Sequence, residues 1–199
     1  MAISTYSGLK TAVSAWLNRT DLAAYIPDFI ALAESDIRND VRVRAMQVLT
    51  TGTLTDETLD APARFLEAQR LFVSDKKKEY RTPEQYQDAR VASGQTDVFT
   101  HIGESLYILN GGSGDAYSLL YWQAFADLSE DDDTNWLLTN APDVYLWAAC
   151  RQAAIYLKSD GEIAKMEGLY AASVARVNAR EKRAGASGSV LVQFAAKVA

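Results

Sequence analysis

Residues 142–157 read PDVYLWAACRQAAIYL, and the reading of this stretch decides the fold class. A helix starts after Asn140-Ala141-Pro142-Asp143. Leu146, Trp147, Ala149, Cys150, Ala153, Ile155, Tyr156 and Leu157 are apolar over more than half of its circumference. A helix of that kind is buried by several neighbours rather than lying on a surface. The neighbours are present in the chain. A final long helix follows, with Ser159 as its cap and Glu162 in the box position. Its core face is Ile163, Met166, Leu169, Tyr170, Val174 and Val177, and its many alanines favour helix and close approach. It ends at Gly185.

Two further helices open the chain. Tyr6, Leu9, Val13 and Trp16 line one side of the first. A turn at Asn18 to Asp21 leads to a second helix over Pro27 to Val43, where Pro27 is tolerated in the first turn and Asp28 suits its positive end. Phe29, Ile30, Ala33, Ile37 and Val41 form its stripe, and its exit is basic, with Arg38, Arg42 and Arg44. Four such helices bury their stripes on one another as a bundle. The expected fold is therefore mainly α: a bundle of four helices with a β-rich insertion between the second and third long helices, and an extended C-terminal arm. One domain is expected over 1–185, with the bundle from 1–45 and 140–185 and the insertion at about 46–128, followed by a docking arm at 186–199.

Within the insertion the periodicity changes. Val48 to Leu59 is Thr-rich and alternating, broken by Gly52 and Asp56-Glu57, and reads as a short hairpin. Phe65 to Val73 fits neither period cleanly; the reading is a helical or extended turn leading to a strand at Arg70 to Val73, with Lys76 to Arg81 as its return strand. Thr82-Pro83-Glu84-Gln85 is a capping-box helix start for a short helix ending before Gly94. Strands follow at Val98 to Ile102 and Ser105 to Leu109. Asn110-Gly111-Gly112-Ser113-Gly114-Asp115 reads as a hairpin turn into a strand at Tyr117 to Trp122.

The chain has 199 residues and a formal charge of -6, so a tight generic grip on a phosphate backbone is not expected. One cysteine gives no disulfide framework. No apolar run is long enough to span a bilayer, and the start MAISTYSGLK lacks the pattern of a signal peptide.

The residues offer little chemistry. His101 is the only histidine and falls in an expected strand. Cys150 falls in the middle of the most buried helix, whereas a nucleophilic cysteine needs a base and partial exposure. The run Glu130-Asp131-Asp132-Asp133 lacks the spacing of a calcium loop. Gly111-Gly112-Ser113-Gly114 lacks the lysine of a phosphate loop. No catalytic residue, cofactor or metal site is expected. Lys76-Lys77-Lys78 is a basic patch flanked by Asp75 and Glu79, and Arg176, Arg180, Lys182 and Arg183 suit the negative end of the last helix. The small-residue linker Gly185-Ala186-Ser187-Gly188-Ser189 follows, then an alternating stretch with Val190, Val192 and Phe194 on one face and Leu191 on the other. Two readings stand for it: the last strand of its own domain, or a segment that docks on a partner surface. The expected partner-binding residues are Arg180, Arg183, Val190, Leu191, Val192 and Phe194.

Several blocks resemble a known family. Tyr6-Ser7-Gly8-Leu9-Lys10, Ala15-Trp16-Leu17-Asn18-Arg19, Ile26-Pro27-Asp28-Phe29-Ile30-Ala31-Leu32-Ala33-Glu34 and Arg42-Val43-Arg44 resemble the opening of tailed-bacteriophage adaptor proteins, the head-to-tail connectors of short-tailed phages. Asn135 to Asp143, Tyr145-Leu146-Trp147 and Tyr156-Leu157-Lys158 continue the likeness, which covers nearly the whole chain in order. The resemblance implies a non-enzymatic virion protein at the head-tail interface, assembled in the bacterial host cytoplasm. It implies a ring, usually of twelve copies, beneath the portal protein. Such a ring contacts neighbouring adaptor subunits and a tail or nozzle protein, extends the channel for double-stranded DNA, and involves no membrane. It also implies a C-terminal arm that reaches the portal or a neighbouring adaptor. Another tail-completion or capsid-joining component, and a small cytosolic binding protein, are the alternatives.

Overall fold

The structure, a computed structural model, describes residues 3–92 and 97–185. These residues form two compact units, one built from the chain up to Arg44 and from Asp127 on, the other from Ala45–Ala126. The first holds α1 (Tyr6–Leu17), α2 (Ile26–Asp40), α4 (Trp136–Asn140), α5 (Pro142–Tyr156) and α6 (Asp160–Gly185). The second holds α3 (Pro83–Val91) and seven strands: β1 (Gln47–Thr53), β2 (Thr58–Asp60), β3 (Phe65–Val73), β4 (Lys76–Tyr80), β5 (Val98–Ile102), β6 (Ser105–Ile108) and β7 (Ala116–Gln123).

This corrects the expectation of a mainly α, four-helix bundle. The described residues contain six helices, and a seven-stranded curled sheet is a principal part of the molecule. The helical unit is organised around one element. α5 packs against α1, α2, α4 and α6. Val144, Tyr145, Leu146, Ala148, Ala149, Cys150, Ala153 and Ala154 are all buried along it. Its four buried alanines let neighbouring backbones come close. The burial stops at its last turn, where Ile155 and Tyr156 are exposed, contrary to the wider stripe read from sequence. The stripes of the neighbours are also narrower than expected. α1 buries Tyr6, Leu9, Ala12 and Val13 but leaves Trp16 56% exposed, edge-on to Trp147 with ring centroids 4.8 Å apart. α6 buries Met166, Tyr170, Ser173 and Val177, while Leu169 faces water.

Chain segments far apart in sequence satisfy the helix ends. The Tyr6 and Ser7 N–H groups at the start of α1 donate to the carbonyls of Asp133 and Asp131, at 2.8 and 3.0 Å. The Gly8 N–H donates to Thr5 Oγ1. The acidic run thus serves as a cap for a helix more than a hundred residues away, and Asp131 pairs with Lys10 at 2.6 Å. Asp133 holds the run in shape: its carboxylate accepts the N–H groups of Ser129 and Glu130, both at 2.8 Å, which holds its pKa below the ordinary range. Asn135 plays two parts. Its Oδ1 caps α4 by accepting the Leu138 N–H at 2.9 Å, and its Nδ2 donates to the hydroxyl of the buried Tyr145 at 2.8 Å.

In the sheet the strand order is β1-β7-β3-β4-β5-β6-β2. β1 and β2 do not form the expected hairpin; β1 pairs with β7 and β2 with β6. The glycine loop before Asp115 is not a hairpin turn either, since β7 leaves β6 to lie between β1 and β3. β3 is a nine-residue strand from Phe65, longer than the expected Arg70 to Val73, and its pairing with β7 shifts register at Phe65/Glu67 and Ala68/Arg70. Such bulges break the two-residue period that a sequence reading relies on. β3 and β4 join through Ser74 and Asp75 at φ of +49° and +62°, the left-handed pair of a tight hairpin. β4 then leaves β3 and runs parallel to β5. Leu54, Leu71, Val73, Phe99, Leu106, Ile108, Leu119 and Tyr121 form the core on this sheet. The capping box opens α3 as its sequence requires.

The double role of Asn135 yields a stability test. Asn135→Ala removes a helix cap and leaves the Tyr145 hydroxyl without that donor, so it is expected to destabilise the chain by about 1–2 kcal/mol in denaturant unfolding. Asn135→Asp, which keeps the cap, is expected to lose less.

Candidate interaction surfaces

The residues weighed for chemistry fall into structural roles. Cys150 is 1% exposed, and burial pushes its thiol up to about 12, so it carries no thiolate near neutral pH. His101 lies on β5 with its ring edge-on to Phe65, centroids 5.0 Å apart. Cys150 therefore does not present the exposed thiolate that a nucleophile needs. Asp115 accepts from the Gly112 N–H at 2.9 Å and from the Ser74 hydroxyl at 2.8 Å, so the glycine loop is folded around its own carboxylate. The lysine patch is split, because Lys78 is buried and paired with Asp97 at 3.0 Å while Lys76 and Lys77 face water. Among the described residues no group of acids, histidines and cysteines is arranged to hold a metal ion. No described helix is long and apolar enough to cross a membrane.

The basic end of α6 is where the sequence placed a binding surface. The structure shows why this end is held firmly. Asn178 on α6 bridges two backbone groups past the end of α2: its Oδ1 accepts the Arg42 N–H at 3.1 Å and its Nδ2 donates to the Asp40 carbonyl at 3.0 Å. One turn on, Glu181 accepts the N–H of Arg44 at 3.3 Å. Arg176 forms an ion pair with Asp143 at the start of α5. The Arg180 guanidinium sits over the Trp136 ring, 5.5 Å from its centroid. Arg180 therefore has a structural role within its own unit that the sequence did not reveal, while Arg183 is exposed at the last turn. Val190, Leu191, Val192 and Phe194 lie outside the described residues, so the structure does not bring them together with the two arginines.

Nearer the middle of α6, Arg151 on α5 pairs with Asp36 and, at 2.7 Å, with Glu167, and its guanidinium lies over Tyr170 at 4.6 Å. Tyr170 donates to Asp40 at 2.8 Å; burial, then that bond, raise its pKa. These contacts tie α2, α5 and α6 together along one seam. Exposed aromatics form a second feature that sequence reasoning missed. The Tyr25 and Tyr156 rings lie tilted against each other, centroids 5.3 Å apart, with Phe29 beside Tyr156, and both are partly open to water. Apolar periodicity assigned Tyr156 to a buried face, and no sequence signal separates the two outcomes.

Glu34 on α2 is the most perturbed carboxyl in the described residues. It is 6% exposed and accepts the Leu128 N–H at 2.9 Å. Burial pushes its pKa up to about 7, with Asp127 adding to the effect; the Leu128 bond and Arg38 work against it. The folded chain thus holds a proton on Glu34 at pH values where the unfolded chain has lost it. That stabilising contribution is complete below the ordinary carboxyl range and is lost as pH rises through about 7. Glu34→Gln keeps the acceptor for Leu128 and cannot ionise. Its unfolding free energy relative to the native sequence is expected to rise by about 2 kcal/mol between pH 5 and pH 8, read by denaturant unfolding at both.

The family model described as SU10 adaptor protein matches residues 4–192, which takes in both the helical unit and the sheet unit. No curated protein matches the chain.

Proposed function

The chain belongs to the SU10 adaptor protein family, a phage head-tail adaptor family, and from that membership we propose that its copies form a ring beneath the portal that joins head to tail and extends the DNA channel. The observation that carries this reading is the extent of the family match, residues 4–192 of 199. A structural rather than enzymatic role fits a buried, protonated Cys150 and a His101 packed on Phe65. A closed ring needs two different, complementary surfaces on each copy, and a copy number of twelve is part of the proposal. The net charge of -6 suits a conduit, since an acidic wall does not hold the duplex passing through it.

In this reading the stiff end of α6 anchors the arm. Arg180 and Arg183 stand at its root, and Val190, Leu191, Val192 and Phe194 carry the apolar contact to the portal or to a neighbouring adaptor. A tail or nozzle protein meets the ring on its other side. The protein is a virion component that assembles in the host cytoplasm.

Electron microscopy of the purified chain mixed with its portal tests the ring directly: closed rings seated on the portal are expected, and a chain that stays unattached contradicts the proposal. Deleting residues 186–199 is expected to leave the thermal transition of the described units within a few degrees of native but to weaken portal attachment at least tenfold. Phe194→Asp is expected to do part of the same damage. Gel-shift binding to duplex DNA at physiological salt is expected to be no tighter than the non-specific range of about 10⁻⁴ to 10⁻⁶ M.

A further inference from the structure

The seven strands do not form an unbroken sheet. The ladder between β3 and β4 covers only Leu71–Val73 against Lys76–Lys78. β4 then turns to β5, pairing Glu79 and Tyr80 with Val98 and Phe99 in parallel. The first two-thirds of β3, Phe65 to Arg70, therefore carries a strand on its β7 side alone. The two register shifts in this stretch give a physical cause, since bulges bend and twist the strand that holds them. Where β3 and β5 part, a cavity of about 220 Å³ opens, lined by Phe65, Leu66, Glu67, Ala68, Tyr80 and His101. It adjoins a larger one of about 620 Å³ that shares Phe65 and His101. The cleft is thus bounded by an open strand edge, by the apolar and aromatic side chains of Phe65, Leu66, Ala68 and Tyr80, and by the polar Glu67 and His101, with Tyr80 55% exposed at its rim.

We propose that this cleft receives the C-terminal arm of a second copy of the chain, with Val190–Phe194 adding as a strand along the open edge of β3. The proposal rests on the ring-forming reading above and names the surface that the arm occupies. An open strand edge presents backbone donors and acceptors in a row, and an extended peptide satisfies them by strand addition, with alternate side chains entering the pockets beside it. The arm has the matching pattern. Val190, Val192 and Phe194 alternate with Leu191 and Gln193, and β-branched and aromatic residues favour strands. Residues 184–196 carry no charge, so the arm itself brings none into the cleft, and Glu67 is the one carboxylate that lines the smaller cavity. The lengths agree: five residues of arm span roughly 17 Å and the six-residue edge roughly 20 Å at about 3.3 Å per residue. The stretch also begins five residues beyond Gly185, at most about 17 Å of extended chain, which is reach enough to leave the parent subunit's helix for a neighbour. Each copy offers one arm and one open edge, so the contact is heterologous and repeats around a closed ring.

Cysteine cross-linking in purified head-tail assemblies tests this. The native Cys150 is buried, so introduced thiols dominate the reaction. The full chain carries Ala68→Cys together with Leu191→Cys, Val192→Cys or Gln193→Cys in turn, which covers a one-residue uncertainty in register. Mild oxidation is expected to give adaptor-to-adaptor ladders on a non-reducing gel at least tenfold above the same arm cysteines paired with Leu49→Cys on β1. Yields equal to that control, an internal disulfide within one copy, or no cross-link each overturn the proposal. Hydrogen exchange on the native chain gives a second readout free of substitutions. Those amides of Leu66 to Arg70 that face away from β7 are expected to slow at least tenfold on assembly, the Phe65 amide being already bonded to the Pro62 carbonyl; unchanged exchange there overturns the proposal. If deletion of 186–199 weakens portal attachment while these amides do not respond, this docking site is wrong and the arm's role in attachment stands. If the amides are protected on assembly but deletion spares attachment, the docking site stands and the portal-attachment reading fails.

Discussion

The helical unit depends on the enclosure of α5. A helix buried on nearly every side needs partners at every face, and α1, α2, α4 and α6 are those partners. Enclosure has a polar consequence, because Tyr145 is buried together with its hydroxyl. A buried hydroxyl needs a partner, and Asn135 supplies one while capping α4. The short α4 buries Leu137 and Leu138 in turn. One apolar helix therefore accounts for a capping asparagine, a five-residue helix and the route of the chain that precedes it.

The outer helices are then fixed by polar contacts that reach across the sequence. Asn178 acts like a piece of backbone toward residues 40 and 42, and Glu181 continues the same line to Arg44. Arg151 collects Asp36, Glu167 and Tyr170. Exposed ion pairs contribute little individually, but a side-chain amide that satisfies two backbone groups where a helix has ended removes a real penalty. These contacts hold the C-terminal end of α6 against α2 and α5, which suits the anchoring role proposed for it. The buried Glu34 works in the other direction, since its ionisation at higher pH is opposed by the same enclosure.

The sheet unit follows a different logic. β7 lies between β1 and β3, so the last strand of the unit is inserted between two strands from its first part. Hairpin chemistry sets only local pairs such as β3 with β4, where Ser74 and Asp75 make the turn, and β5 with β6, where Gly103 has a φ of +63°. The remaining ladders depend on which apolar faces meet in the core. Bulges in β3 open the sheet beside β4, and the open edge is a feature that a local pattern does not announce.

The sequence by itself determined the elements whose causes are local. The 3.6-residue stripes located α1, α2, α5 and α6, the Thr82 and Gln85 box located the start of α3, and the family blocks carried the adaptor assignment. The sequence also excluded a disulfide framework, by its cysteine count. Tertiary structure alone decided what depends on distant partners. α4 is too short for a periodicity, and β1 and β2 each pair with strands beyond the next one in the chain. The role of Asp131 and Asp133 at the start of α1, the engagement of Arg180 with Trp136, and the burial of Lys78 all arise from contacts between segments remote in sequence. Apolar pattern also overstated the core at Trp16, Leu169 and Tyr156, because periodicity reports which face of a helix is apolar but not how far a neighbour extends along it.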